Sequence, residues 1–199
     1  EVGGTLPSVE GPGTGDGFKK FCAGETDISD ASRAIKDEEK AICEQAGVTY
    51  TELQIANDAI TVLTNEKNDS IDCLTFEDLY GLVGPESEGV KNWSEAADKG
   101  ATSDLPDAPL EIFAPGTESG TYDSFYELAI EGLAEENGAP EDVQIRPDYG
   151  GLANDNEIIS GLQSVDSSFG WVGFAFAEEA EGVRELEIDG GDGCVAPST

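Results

Sequence analysis

The chain has 199 residues, of which 43 are acidic and 10 basic, for a formal net charge of −33. That charge argues against nucleic acid and anionic membrane as partners, and no run approaches the roughly 18 apolar residues of a membrane span. The absence of histidine removes Ser-His-Asp, Cys-His and ordinary zinc-histidine chemistry.

The acids are dispersed over turns and helix faces, as on a solvated surface. At molar salt, where the Debye length is about 3 Å, such carboxylates repel one another little, so the composition fits a halophilic environment. Val, Ile, Leu and Phe recur in short periodic blocks, which predicts a folded chain despite the charge.

Residues 1–17 are rich in Gly and Pro and end in Gly13-Thr14-Gly15-Asp16-Gly17. Phe18, Phe21 and Cys22 then fall at helical spacing, so this loop opens into a short helix. Thr26 to Arg33 reads as a short strand and a loop, Asp30-Ala31-Ser32-Arg33. Asp37–Ala46 is a predicted helix with Gly47 as its C-cap. Val48–Leu53 alternates as a strand, and Ala59–Thr64 is a β-rich run suited to burial. Thr75 caps a helix whose acidic first turn suits the helix dipole. Residues 84–108 are loop-rich, with Trp93 as a packing anchor.

Leu110–Phe113 is a strand. It leads through Ala114-Pro115-Gly116-Thr117-Glu118-Ser119-Gly120-Thr121 into a helix reaching about Glu136. Asp142–Ile145 is a candidate strand. Asn154–Leu162 is a helix with Ile158, Ile159 and Leu162 inward. Phe169–Phe174 is a strand running into a short helix, and Leu186–Ile188 is the last strand. The alternation of strands and helices predicts an α/β chain with mostly parallel sheets and flanking helices.

Cys22, Cys43, Cys73 and Cys194 are widely spaced, with no C-x-x-C. An even count without metal-ligand spacing points to two disulfides and export; four free thiols in a cytosolic core is the alternative. Three pairings are possible. Cys22–Cys43, clipping a helical hairpin, and Cys73–Cys194, tying back the tail, are preferred. Asn68-Asp69-Ser70 and Asn92-Trp93-Ser94 match the N-glycosylation pattern, which chance also supplies.

Three loops carry one chemistry: Gly13–Gly17, Asp30–Arg33 and Thr117–Thr121. Each offers a hydroxyl and small residues that let backbone N–H groups come close, and two sit at helix starts. Such starts carry free N–H donors and about half a positive charge, which suits a tetrahedral oxyanion without lysine. Taken singly, each Ser or Thr is equally an ordinary N-cap, and Arg33 equally a surface charge paired with Asp30. No Walker lysine follows the glycines, which argues against a nucleotide loop.

The stretches GTGDGFKKFCAGETDISDASRAIKDEE, IANDAITVLTN, CLTFEDLY, NWSEA, APGTESGTYDSF and GWVGFAFAEE occur in this order. Together they resemble the phosphate-binding subunit of phosphate ABC transporters over essentially all of residues 9–196. The resemblance implies a two-lobed, type II periplasmic-binding-protein-like fold, with inorganic phosphate buried at the hinge. Lobe I would comprise 1–55 plus 186–199, lobe II 56–185, and the hinge would lie near 53–58 and 186–189.

By the same resemblance, Thr14 and Ser32 donate hydroxyl and backbone N–H groups, and Ser119, Gly120 and Thr121 supply a donor cluster at a helix start. Arg33 is the charge partner. Asp58 accepts a proton of phosphate in a hydrogen bond and so turns sulfate away. No catalytic residue, metal or cofactor is implied. The implied protein is a monomer outside the cell membrane that delivers phosphate to a membrane ABC permease.

Two departures stand out. Many relatives have an arginine shortly before Ser-Gly-Thr; here Glu118 stands there, to buttress Arg33 or to bond a protonated phosphate oxygen. The family's opening strand with its Gly-Ser/Thr loop is not evident before Val9, nor its final stretch beyond Ser198, so the chain is expected to be the core of a longer protein. The alternative functions are binding of another tetrahedral oxyanion, sulfate or molybdate, or a structural role in which acidic lobes stack into a surface assembly.

Overall fold

The computed structural model describes Ser8, residues 14–140 and residues 144–198. Gly13 of the first loop and Asp142 and Val143 of the expected strand lie outside the described residues. The chain divides into two compact units, Glu1–Asn57 and Asp58–Thr199.

The first unit holds two helices, α1 (Thr14–Cys22) and α2 (Asp37–Ala46). Thr14, Phe18 and Cys22 are the buried residues of α1, and their i, i+4 spacing puts them on one stripe. The first turn of α2 carries Asp37, Glu38 and Glu39, as the helix dipole favours. Gly47, at φ 71°, closes α2 with its N–H on the Glu44 carbonyl, a backbone state that costs little only in glycine. Phe18, Cys22, Ile35 and Cys43 form the core of this unit, flanked by Phe21 and Val48. Fully burying a large apolar side chain stabilises by about 1.5–3 kcal/mol, so this core is thin. The Cys22–Cys43 disulfide crosses it.

The strands expected over 26–33 and 48–53 do not form. Their side chains have the right propensity, but a strand is stable only with a ladder partner. Ile28, Leu53 and Ile55 are 77%, 75% and 90% exposed.

The second unit is built on a four-stranded sheet in the order β3 (Glu111–Ile112), β4 (Ser168–Gly173), β1 (Ile60–Asn65), β5 (Val183–Glu185). Alternate residues of the central strands feed two cores. Val62 and its register partner Trp171 face a large cluster with Leu74, Leu79, Leu82, Trp93 and Phe169. Leu63 and Val172 face a smaller one with Ile158 and Leu162 of α6 (Asp155–Ser164). That is the period of two expected of a sheet buried on both sides. Trp93 is the expected anchor: it is fully buried, donates from Nε1 to the Ser167 carbonyl and meets Phe169 edge-on.

Strand direction departs from the expectation of mostly parallel sheets. β1 runs antiparallel to both β4 and β5, and only β3–β4 is parallel in this sheet. The parallel pair is the one whose strands follow each other through helices, as a crossover unit requires. β1 instead pairs with strands far away in sequence, so helix–strand alternation carries no information about its direction. A second sheet joins β2 (Cys73–Thr75), β6 (Glu187–Asp189) and β7 (Cys194–Val195), parallel then antiparallel. The β2–β6 ladder ties residues 187–189 to residues 73–75 within the unit 58–199.

α3 (Phe76–Val83) starts at Thr75, whose side chain accepts the Asp78 N–H. Asp78 is fully buried, and its carboxylate accepts the N–H groups of Thr75, Thr102 and Ser103 and the Ser103 hydroxyl. Burial pushes the Asp78 pKa up, but these donors outweigh it and hold the carboxyl below its ordinary range. The helix expected from 120 to about 136 is a single run with a π-helical turn in its middle: α4 (Gly120–Phe125), Tyr126–Ile130, then α5 (Glu131–Asn137). α7 (Phe174–Ala177) follows β4 directly.

Candidate functional site

In the first unit, residues 18 apart in sequence meet. The Thr14 hydroxyl, in the first turn of α1, accepts the Ser32 N–H at 3.3 Å and lies 3.4 Å from the Ser32 hydroxyl. Thr14 is buried and Ser32 exposed. Arg33, the next residue in the chain, is fixed by Glu39. Its Nη1 and Nη2 donate to the two oxygens of Glu39, each at 2.9 Å, in a fork with both side chains about 15% exposed. Nη1 also donates to the Ala34 carbonyl, and the guanidinium stands 5.4 Å from the Phe18 ring centre.

The position of Arg33 follows from α2. Glu39 sits in its first turn, where the Lys36 N–H donates to the same carboxylate at 2.8 Å. Burial raises the Glu39 pKa, but the Arg33 fork and the Lys36 N–H overcome it and hold the carboxyl below its usual range. Arg33 thus pairs with Glu39. Glu39 was legible only as one acid among three at a helix start.

In the second unit, the loop before α4 is held from two sides. Phe113 donates its N–H to the Phe169 carbonyl as β3 ends. Gly170 and Gly161 leave no room for a Cβ against the Phe113 carbonyl and ring respectively, so glycine at both lets this approach happen. Beyond it, Leu152 donates to the Ala114 carbonyl and Gly116 donates back to Leu152. The Tyr149 hydroxyl donates to the Pro115 carbonyl at 2.8 Å. Burial, with Tyr122 and Glu118 nearby, pushes the Tyr149 pKa up, so it stays a donor at neutral pH.

This loop delivers Ser119, Gly120 and Thr121 to a helix start, and the Ser119 hydroxyl acts there as an N-cap, accepting the Thr121 N–H at 3.2 Å. Gly120 is exposed and Thr121 half-buried. Glu118 is exposed and folds back over Gly116. Asp58, the first residue of this unit, is exposed, and its Oδ1 accepts the N–H of Ala59 at 2.9 Å.

Thr14, Ser32 and Arg33 are therefore brought together within one unit, and Glu118–Thr121 are contiguous within the other. Each group combines hydroxyls and backbone donors at the start of a helix, the chemistry by which proteins can hold an oxyanion. Sequence reasoning missed the supports, namely Glu39 under Arg33, and Tyr149 and Leu152 on the second loop.

Both disulfides have the pairing preferred on the sequence, Cys22–Cys43 and Cys73–Cys194. Of the two glycosylation patterns, Asn68 is buried and donates to the Thr64 hydroxyl. Asn92 is half-buried and caps the 3-10 turn Trp93–Lys99.

The chain belongs to the PBP superfamily, whose domain profile matches residues 3–197. It is 40% identical to Protein SphX of Synechocystis over 96% of this chain and 53% of that protein. It is 35% identical to the phosphate-binding protein PstS of Staphylococcus epidermidis over 94% of this chain and 52% of that protein. The chain thus spans about half the length of the curated relatives it matches. Among solved structures, a possible phosphate-binding protein from Planctomyces limnophilus superimposes with a TM-score of 0.73 at 34% identity, covering 94% of this chain and 61% of that one. PstS from Borrelia burgdorferi shares the fold, with a TM-score of 0.64 at 23% identity over 89% of this chain and 63% of that one.

Proposed function

We propose that the protein binds inorganic phosphate with high affinity and delivers it to a membrane ABC permease, as an exported monomer and not as an enzyme. The observation that carries this reading is the Thr14–Ser32 pair at the first turn of α1, set beside an arginine whose charge Glu39 already balances. The likeness to proteins named for phosphate binding supports it. Ser119, Gly120 and Thr121 supply the second set of donors. Export fits the two disulfides, and no helix among the described residues is long and apolar enough to cross a membrane.

Neutral hydroxyls and N–H groups would hold the anion, so a net charge of −33 does not forbid binding. Their strength comes from charge-assisted hydrogen bonds to the ligand, roughly twice as strong as neutral ones. Selectivity falls to Asp58. Phosphate retains a proton at neutral pH and can donate it to a carboxylate, whereas sulfate brings only charge and is repelled.

Calorimetry at molar salt tests both parts. Phosphate is expected to bind and sulfate to be rejected, and Asp58→Asn is expected to bring the two affinities together. A protein that takes up no phosphate overturns the function. Unchanged rejection of sulfate by Asp58→Asn removes Asp58 from the selectivity.

A further inference from the structure

Away from the anion loops, three potential ligands line one face of the small sheet. Cys73 is the register partner of Glu187 in the β2–β6 ladder, and Cys194 that of Asp189 in the β6–β7 ladder. Residues 187 and 189 point to the same face of β6, so all four side chains share it. Both sulfurs and a carboxylate oxygen of Glu187 lie within 4.8 Å of one another. Asp189 is otherwise engaged, accepting the N–H groups of Gly191 and Gly193.

The two disulfides differ in access. Cys22 and Cys43 are 1% and 0% exposed, whereas Cys73 is half-buried and Cys194 exposed. Thiol–disulfide exchange proceeds by attack of a thiolate on a sulfur it can reach, so an exposed bond exchanges first.

We propose that Cys73, Glu187 and Cys194 form a binding site for a zinc-class divalent metal once the Cys73–Cys194 bond is reduced by a dithiol. The dithiol transfers two electrons and two protons to the disulfide and becomes a disulfide itself. The protein then carries two thiols. Metal binding displaces both thiol protons to water, and the two thiolates join the Glu187 carboxylate as ligands, with water in the fourth position. In a tetrahedral site with metal–sulfur bonds of about 2.3 Å, the sulfurs stand about 3.7 Å apart. Rotation about the Cα–Cβ bonds supplies that separation while the ladders keep the Cα atoms in place. Two soft thiolates favour zinc over calcium or magnesium. The metal then holds β7 to β2 and β6 as the disulfide did, so the tail stays clasped in both redox states. This inference does not depend on the phosphate reading.

The test uses cobalt(II) as a spectroscopic probe and zinc(II) in competition with a chromophoric chelator. The oxidised protein is expected to bind neither. The reduced protein is expected to take one equivalent of cobalt with a thiolate-to-metal absorption band, which zinc abolishes. Zinc should also protect Cys73 and Cys194 from alkylation. Glu187→Gln keeps both cysteines, and so the oxidised fold, and should weaken zinc binding by at least about 10-fold. Absence of the thiolate band in the reduced protein overturns the proposal. So does a Glu187→Gln variant with unchanged zinc affinity, which would reduce the site to two adventitious thiols.

Discussion

In residues 14–57 the hydroxyls of Thr14 and Ser32 are held by a disulfide, a forked ion pair and, besides the two cysteines, the buried side chains of Phe18 and Ile35. In residues 58–198 Ser119 is held by a loop pinned to Leu152 and Tyr149, on a sheet buried between two apolar clusters. The difference is one of scale. A small unit cannot bury enough apolar surface to fix its loops, so covalent and charged links take over. A large unit can set a loop on a buried sheet through hydrogen bonds to Leu152 and Tyr149, leaving Ser119 to cap a helix. Donors of the same type are therefore expected to fail in different ways in the two places.

The largest effect is expected in the large core. Trp171→Ala removes a fully buried indole stacked on Phe125 at 4.1 Å and should cost about 3–5 kcal/mol, read as lost amide protection in β1 and β4. Next comes the small unit. Replacing Cys22 and Cys43 together by serine opens a link spanning 21 residues and should cost about 3 kcal/mol, read as faster amide exchange in α1 and α2. Unchanged exchange there would show that the thin core suffices and would break the comparison.

Arg33→Ala leaves Glu39 largely buried without its fork and should cost about 1.5–3 kcal/mol in denaturant melts. Arg33→Lys should recover only part of this, because an ammonium cannot match both carboxylate oxygens. Ser119→Ala should cost about 1 kcal/mol as a lost N-cap, visible in thermal melting.

One further effect is a change in pH dependence, read in acid. Asp148 accepts a fork from the fully buried Arg146 and the Gly89 N–H. The Arg146 hydrogen bonds are the main cause that holds its pKa down at about 2 against an ordinary 3.8, with burial opposing. A depressed carboxyl contributes stability that is present above its ordinary pKa and lost as pH falls through the folded value. Asp78, also depressed, acts in the same direction. Asp148→Asn should therefore flatten the fall in stability between about pH 4 and pH 2 in acid titrations.

Much of this is legible in the sequence where the signal is local. The Gly47 cap, the Thr75 cap, the buried run of β1 and the inward faces of Ile158 and Leu162 are read from a few adjacent residues. So are the serines and threonines of the loops. What depends on distant partners is not legible. Val48–Leu53 has the composition of a strand and no ladder, while Cys73–Thr75 and Cys194–Val195 are strands too short to show a period. The antiparallel direction of β1 is set by segments more than 100 residues away. The support of Arg33 by Glu39 is hidden because an acid in the first turn of a helix is ordinary. The Thr14–Ser32 hydrogen bond is not legible either, since nothing near either residue announces the other.

The central claim is that this pair is an anion seat and not a packing accident. Phosphate calorimetry on the double variant Thr14→Val, Ser32→Ala tests it most directly, with circular dichroism to verify the fold. Loss of two charge-assisted hydrogen bonds, each worth about 1.5–3 kcal/mol, predicts at least about a 100-fold weaker Kd. A folded variant that binds phosphate as tightly as the parent protein contradicts the account.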